Sequence, residues 1–177
     1  YEGNPAPRRG LWGEVGCEDL TDGVLVAGQP NGAASWFPCN DYPGNKASYR
    51  ISVTTDANYR AVCNGVLVSH QARSSRETWV YEQAEPMASY LATVQIGRYD
   101  LLQLNPDRAA GDLAQTAAVP AELAAEARAG LARQPQMMRT FTSCFGPFPF
   151  AGYTVVVTED ALEIPLEAQS LSIFGRN

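Results

Sequence analysis

Tyr59-Arg60-Ala61-Val62-Cys63-Asn64-Gly65-Val66-Leu67-Val68-Ser69 sets two strand-forming runs on either side of an Asn-Gly pair. β-Branched and apolar residues favour extended backbone, and Asn-Gly tolerates the positive φ that a two-residue hairpin turn requires at both central positions. The stretch predicts a hairpin and marks its surroundings as β. Upstream, Gly23-Val24-Leu25-Val26-Ala27-Gly28 is a short apolar run bounded by Asp22 and by Pro30-Asn31-Gly32, which suits a buried strand ending in a loop. Tyr49-Arg50-Ile51-Ser52-Val53-Thr54 alternates with period two and meets the turn-forming Asp56-Ala57-Asn58, predicting a half-buried strand. Downstream, residues 77–82 and 90–96 read as further strands. Short strands at such close spacing predict a β-sandwich.

Beyond Gly97 the pattern changes. Residues 99–104 suit one more strand, after which Asn105-Pro106-Asp107 and the Ala/Gly-rich stretch to Gly111 read as a loop. Pro120 suits a first helical position, and the helix it opens runs through Glu122, Leu123, Ala127 and Leu131. Pro135 starts a second helix that sets Met137, Met138 and Phe141 near one face as core and breaks at Gly146-Pro147. Tyr153-Thr154-Val155-Val156-Val157-Thr158 is β-branched enough for a central strand. The expected fold class is mixed and mainly β: an antiparallel β-sandwich part, then a small α+β segment with helices near 120–144 and a strand near 153–158.

The 177 residues carry 45% hydrophobic side chains, enough for a core, and a formal net charge of -6 from 13 Lys and Arg against 19 Asp and Glu. Without a basic surplus, neither nucleic acid nor an anionic membrane face is an expected partner. No run approaches the roughly 20 apolar residues of a membrane span. Cys17, Cys39, Cys63 and Cys144 lie far apart with no C-x-x-C pair, which reads as buried free thiols of a reducing, cytoplasmic compartment. The single histidine, His70, falls at a strand end beside Gln71, Arg73 and Arg76 and reads as solvated. A catalytic zinc takes three protein ligands, and a serine or cysteine nucleophile needs a positioned imidazole, so the segment assembles no catalytic apparatus and no metal site.

Three stretches, in order, resemble the zinc metallopeptidase family of aminopeptidase N and leukotriene hydrolase. Trp36-Phe37-Pro38-Cys39-Asn40-Asp41, Lys46-Ala47-Ser48-Tyr49 and Cys63-Asn64-Gly65 are similar to the P-C-x-D, K-A-x-[FY] and S-N-G run of its non-catalytic sandwich. Glu85-Pro86-Met87-Ala88-Ser89-Tyr90-Leu91, running into Ile96-Gly97, looks like the segment that closes that sandwich. Phe145-Gly146-Pro147-Phe148-Pro149-Phe150, residues 153–157 and Leu166-Glu167-Ala168-Gln169 resemble the F-G-x-x-[YP] helix end, the first catalytic-domain sheet and the G-x-M-E-N exopeptidase motif.

The resemblance implies that residues 1–97 are part of an N-terminal β-sandwich, saddle-like domain and that residues 98–177 begin a thermolysin-like catalytic domain. It also implies truncation at both ends, the second just before the zinc-binding H-E-x-x-H helix. The parent protein would be a zinc-dependent aminopeptidase acting on peptides with a free N-terminus. This segment would be inactive alone and bind no zinc, and it would pack against the remainder of the catalytic domain. Glu167, at the glutamate of the exopeptidase motif, is the implied anchor for the substrate's ammonium group, although the flanking glycine and asparagine are replaced. Gln29, ten positions before Cys39, is the implied second anchor. Read without the resemblance, Glu167 is a surface carboxylate at a helix or turn start and Gln29 a polar strand end. Asp41 and Asp56 read as turn residues and Glu159, Asp160 and Glu163 as a solvated acidic loop. The alternative function is a catalytically silent β-sandwich module that binds a peptide or protein partner; a third is the same scaffold with another substrate.

Overall fold

The computed structural model describes residues 4–10, 13–109 and 112–177. In chain order the elements are β1 (Arg8–Gly10), β2 (Gly13–Leu20), β3 (Gly23–Ala27), β4 (Ala47–Asp56), β5 (Arg60–Cys63), β6 (Val66–Arg73), β7 (Arg76–Met87), β8 (Val94–Gly97), β9 (Tyr99–Gln103) and β10 (Ala114–Pro120). Then come α1 (Ala124–Gly130), α2 (Gln134–Phe145), β11 (Gly152–Val157), β12 (Leu166–Ala168) and β13 (Leu171–Phe174). The first sheet has the order β1-β2-β3-β8-β5, the second β4-β7-β6 and the third β12-β13-β11-β10-β9. The first two are antiparallel throughout. In the third, β11 is central and runs parallel to β10 and β13, with β9 and β12 antiparallel at the edges. Parallel neighbours need a long crossover, and α1 with α2 supplies it between β10 and β11.

The period of two along each strand explains how the layers stack. Leu25 and Val62 turn one face of the first sheet toward Ala118, Val156, Leu171 and Ile173 of the third. Their neighbours Val26, Ala61 and Cys63 turn the other face toward Trp79 and Tyr81 of the second. On the far side of the third sheet, Ala117, Val119 and Val155 are covered by Ala124, Ala127 and Leu131. The first and third sheets are thus buried on both faces, and each fully buried aliphatic side chain contributes about 1.5–3 kcal/mol. The fold class is the mixed, mainly β one expected.

Several local expectations are corrected. Asn64-Gly65 is not a hairpin turn: β5 pairs with β8 in the first sheet, whereas β6 pairs with β7 in the second. The pair instead carries the chain from one sheet to the other. Gly65, at φ 85°, is required there because a Cβ would collide with the Glu82 main chain. Two-residue connections fall instead at Thr21-Asp22 between β2 and β3, at Ser74-Ser75 between β6 and β7, and at Gln169-Ser170 between β12 and β13. The strand expected over 90–96 begins only at Val94, since Ser89–Leu91 is a 3-10 turn.

Residues 114–120 form β10, which the sequence did not announce; Pro120 closes that strand and at the same time caps the 3-10 turn Ala121–Leu123 that leads into α1 at Ala124. Its alanines suit a strand packed on both faces, where larger side chains do not fit. The loop expected to reach Gly111 runs through residue 109, and residues 110–111 lie outside the described ones. In α2 only Met138 is core, at 8% exposure; Met137, Phe141 and Phe145 are 43%, 56% and 84% exposed. Of the four free thiols Cys63 is buried, but Cys17 and Cys39 are partly exposed and Cys144 is exposed.

Candidate functional site

Gln29 follows the end of β3. Gly28 precedes it because the chain here runs so close to the Tyr90 carbonyl that a Cβ would not fit. The Gln29-Pro30 bond is cis, and the Gly32 N–H donates to the Gly28 carbonyl at 2.7 Å, turning the chain away from the strand. Glu167 is the middle residue of β12, not a helix start. The two-residue connection at Gln169-Ser170 pairs Ala168 with Leu171 and so sets Glu167 opposite Ser172. Directly opposed residues share a face. Ser172 Oγ accordingly donates to Glu167 Oε2 at 2.9 Å, and Tyr153 Oη lies 2.6 Å from Ser172 Oγ as the outer donor of a short relay.

Burial is the chief effect on Tyr153 and pushes its phenol above the ordinary value; Ser172 opposes this and the Glu167 charge adds to it. The phenol stays protonated at neutral pH and holds the relay in one direction. Gln29 and Glu167, 138 positions apart, meet: Gln29 Nε2 donates to the Glu167 main-chain carbonyl. With Nε2 so engaged, Gln29 Oε1 is left to accept from a ligand, and the Glu167 carboxylate is exposed on the adjacent edge strand. Ser172 and Tyr153 were not singled out in the sequence. A two-residue turn at Gln169-Ser170 was the available signal for Ser172, but Leu166-Glu167-Ala168 is too short to announce a strand.

Gln29 also forms part of the wall of a cleft of about 830 Å³ between β2, β3 and the loop before β12. Leu25, Tyr90 and Leu166 supply apolar wall, and Glu14, Glu18 and Glu163 supply carboxylates. Glu18 is held above its ordinary pKa, first by burial and then by the charges of Glu14 and Asp160.

The remaining chemistry-bearing residues serve structure. His70 sits within β6, where its ring stacks on Trp79 at 3.6 Å and Nε2 lies 2.7 Å from Glu77 Oε2. Burial pushes the Cys63 thiol up to about 12. Asp41 accepts from Ser89 Oγ at 3.0 Å and from the Ala34 N–H at 3.5 Å, and so ties the 3-10 turn Ala33–Ser35 to Ser89–Leu91. Asp160 accepts from Thr21 N and Oγ1 at 2.7 and 2.6 Å. Among the described residues no three His, Cys, Asp or Glu side chains converge as a metal site, so this set does not fit a catalytic zinc.

Layered sheets with a β11-centred α+β unit joined to a sandwich make a mainly β scaffold. Residues 23–91 match the Peptidase M1 N-terminal domain, 69 of the 177 residues. Glutamyl aminopeptidase of Homo sapiens is 32% identical over 78 residues, 44% of this chain and 8% of that protein. Leucyl aminopeptidase of Saccharolobus solfataricus is 24% identical over 81 residues, 45% of this chain and 10% of that protein. The match therefore spans a tenth or less of these relatives. An M1 zinc metallopeptidase from Deinococcus radiodurans superposes with a TM-score of 0.86 at 23% identity, over 98% of this chain and 40% of that one. That likeness establishes the shared fold across nearly the whole chain.

Proposed function

We propose that this chain is the substrate-amine side of a zinc-dependent aminopeptidase, with residues 1–97 part of its sandwich domain and 98–177 the start of its catalytic domain. The observation that carries the reading is the contact between Gln29 and Glu167. A free α-ammonium group has three donors and one positive charge, and it is matched by a carboxylate beside a second, neutral acceptor. The Glu167 carboxylate provides the charge and Gln29 Oε1 the second acceptor. Ser172 and Tyr153 hold the carboxylate in place, and the Glu167 carbonyl holds the amide. Anchoring the amine at a fixed point sets the first peptide bond at a fixed distance from it, which converts general peptide hydrolysis into removal of one residue. Zinc, when bound by ligands outside this chain, supplies the activated water of such an enzyme.

Glu167→Ala in the longer protein tests the reading. Hydrolysis of amino-acyl amides should fall at least about tenfold, the scale of one charge-assisted contact, while cleavage of the N-acetylated analogue stays unchanged. An unchanged ratio of the two rates would remove the anchor role. The relatives' names point to different first residues, glutamyl in one and leucyl in another, so they leave the preferred side chain to the walls of the cleft.

A further inference from the structure

We infer that the cleft beside Gln29 takes a cationic first side chain, of the arginine or lysine class, and so gives the proposed aminopeptidase a preference for basic N-termini. The inference rests on the amine-anchor reading. With the amine at Gln29 and Glu167, the substrate side chain nearest to it is that of the first residue, and the cavity adjoining Gln29 is the space open to that side chain. Gln29 and Leu166, the neighbour of Glu167, both line it.

The lining matches a long aliphatic stem ending in positive charge. Leu25 and Leu166 offer apolar surface for methylenes, and Glu14, Glu18 and Glu163 are the charged groups of the wall. The Glu163 carboxylate is folded toward β2, with Oε2 3.6 Å from where a Cβ of Gly13 would sit, so carboxylates face the space from both sides. Arg9 stands opposite Glu14 across β1 and β2. The Glu18 and Glu163 carboxylates make no ion pair or hydrogen bond among the described residues. Burial first, and then the charges of Glu14 and Asp160, raise the pKa of Glu18, so the side chain stands beside like charge. The three carboxylates do not converge on a point as metal ligands do, whereas a guanidinium or ammonium on a flexible stem can reach acceptors spread along a wall. A volume of about 830 Å³ accommodates such a side chain with room to spare.

Calorimetric titration of the 177-residue chain with L-argininamide, L-norleucinamide and N-acetyl-L-argininamide tests this. L-argininamide should bind about fivefold or more tightly than L-norleucinamide, the sum of two partly exposed charge pairs. Glu18→Gln combined with Glu163→Gln should bring the two ligands within about twofold of each other. Both glutamates are outside the buried core, so the variant should keep the wild-type unfolding temperature or exceed it. Equal binding of the two amides overturns the cleft assignment, and if acetylation still weakens L-argininamide the amine anchor survives that failure. An arginine advantage that acetylation leaves untouched sinks the anchor instead, and with it the assignment to a first residue. Absence of binding by all three probes overturns the inference.

Discussion

The Asn64 carboxamide donates to the Leu91 and Gln169 carbonyls, each at 3.0 Å, and accepts from the Thr93 N–H at 2.7 Å. One 1% exposed side chain therefore satisfies one buried and two partly buried main-chain groups, one of the latter in the connection between β12 and β13. An orphaned buried donor or acceptor costs about 1–3 kcal/mol, and not all three are refilled by water in a closed site. Asn64→Ala should lose about 3 kcal/mol of unfolding free energy in urea titration. A loss below about 1 kcal/mol would mean that the carboxamide only fills space. Because Gln169 lies two positions from Glu167, the same variant should also weaken binding of free-amine ligands.

Among the elements, α2 departs most from its expected role. Pro135 and Gly146 bound it as the sequence suggests, since proline suits the first turn and Gly146 takes a φ of 91°. Its apolar residues point two ways: Met138 is buried, whereas Phe141 and Phe145 are exposed with ring centroids 6.4 Å apart. Replacing Phe141 and Phe145 with serine should each change stability by less than about 0.5 kcal/mol, and Met138→Ala should cost about 2–3 kcal/mol, read from thermal unfolding of the three variants. Period 3.6 shows which residues share a helix face. It does not show which face the rest of the molecule covers, so the Met-Met-Phe pattern was legible as a stripe but not as a solvent-facing one.

At the scale of the molecule, the first and third sheets are held by a shared core and by a few polar ties at its rim. Asp160 is one such tie, joining the loop after β11 to the turn between β2 and β3. Hydrogen bonds from the Thr21 side chain and main chain, then the Arg176 charge, hold its pKa below the ordinary 3.8. A carboxylate whose folded value is lowered adds stability above its unfolded value and loses it as pH falls through the folded one. Asp160→Ala should therefore cost about 1 kcal/mol at pH 7, modest because the bonds are exposed. The gap between wild type and variant should close in unfolding curves taken progressively below pH 3.8. A gap that persisted there would assign the effect to packing and not to charge.

The sequence by itself determined that the chain is mainly β, where most strands and α2 lie, and which two residues to compare as amine anchors. Those properties are local: period two, β-branching, proline and glycine punctuation, and short motifs are written in neighbouring residues. Tertiary structure decided which strands share a sheet. Asn64-Gly65 has hairpin chemistry, yet the Asn64 side chain gains more from buried main-chain partners than from a tight turn. It also decided that Ala114–Pro120 is a strand, because alanine is selected there by two packed faces and not by intrinsic preference. Finally, it brought Gln29 to Glu167 and gathered Glu14, Glu18 and Glu163 around one cleft. Those contacts join residues more than a hundred positions apart, and only the stacking of the first sheet on the third sets their distance.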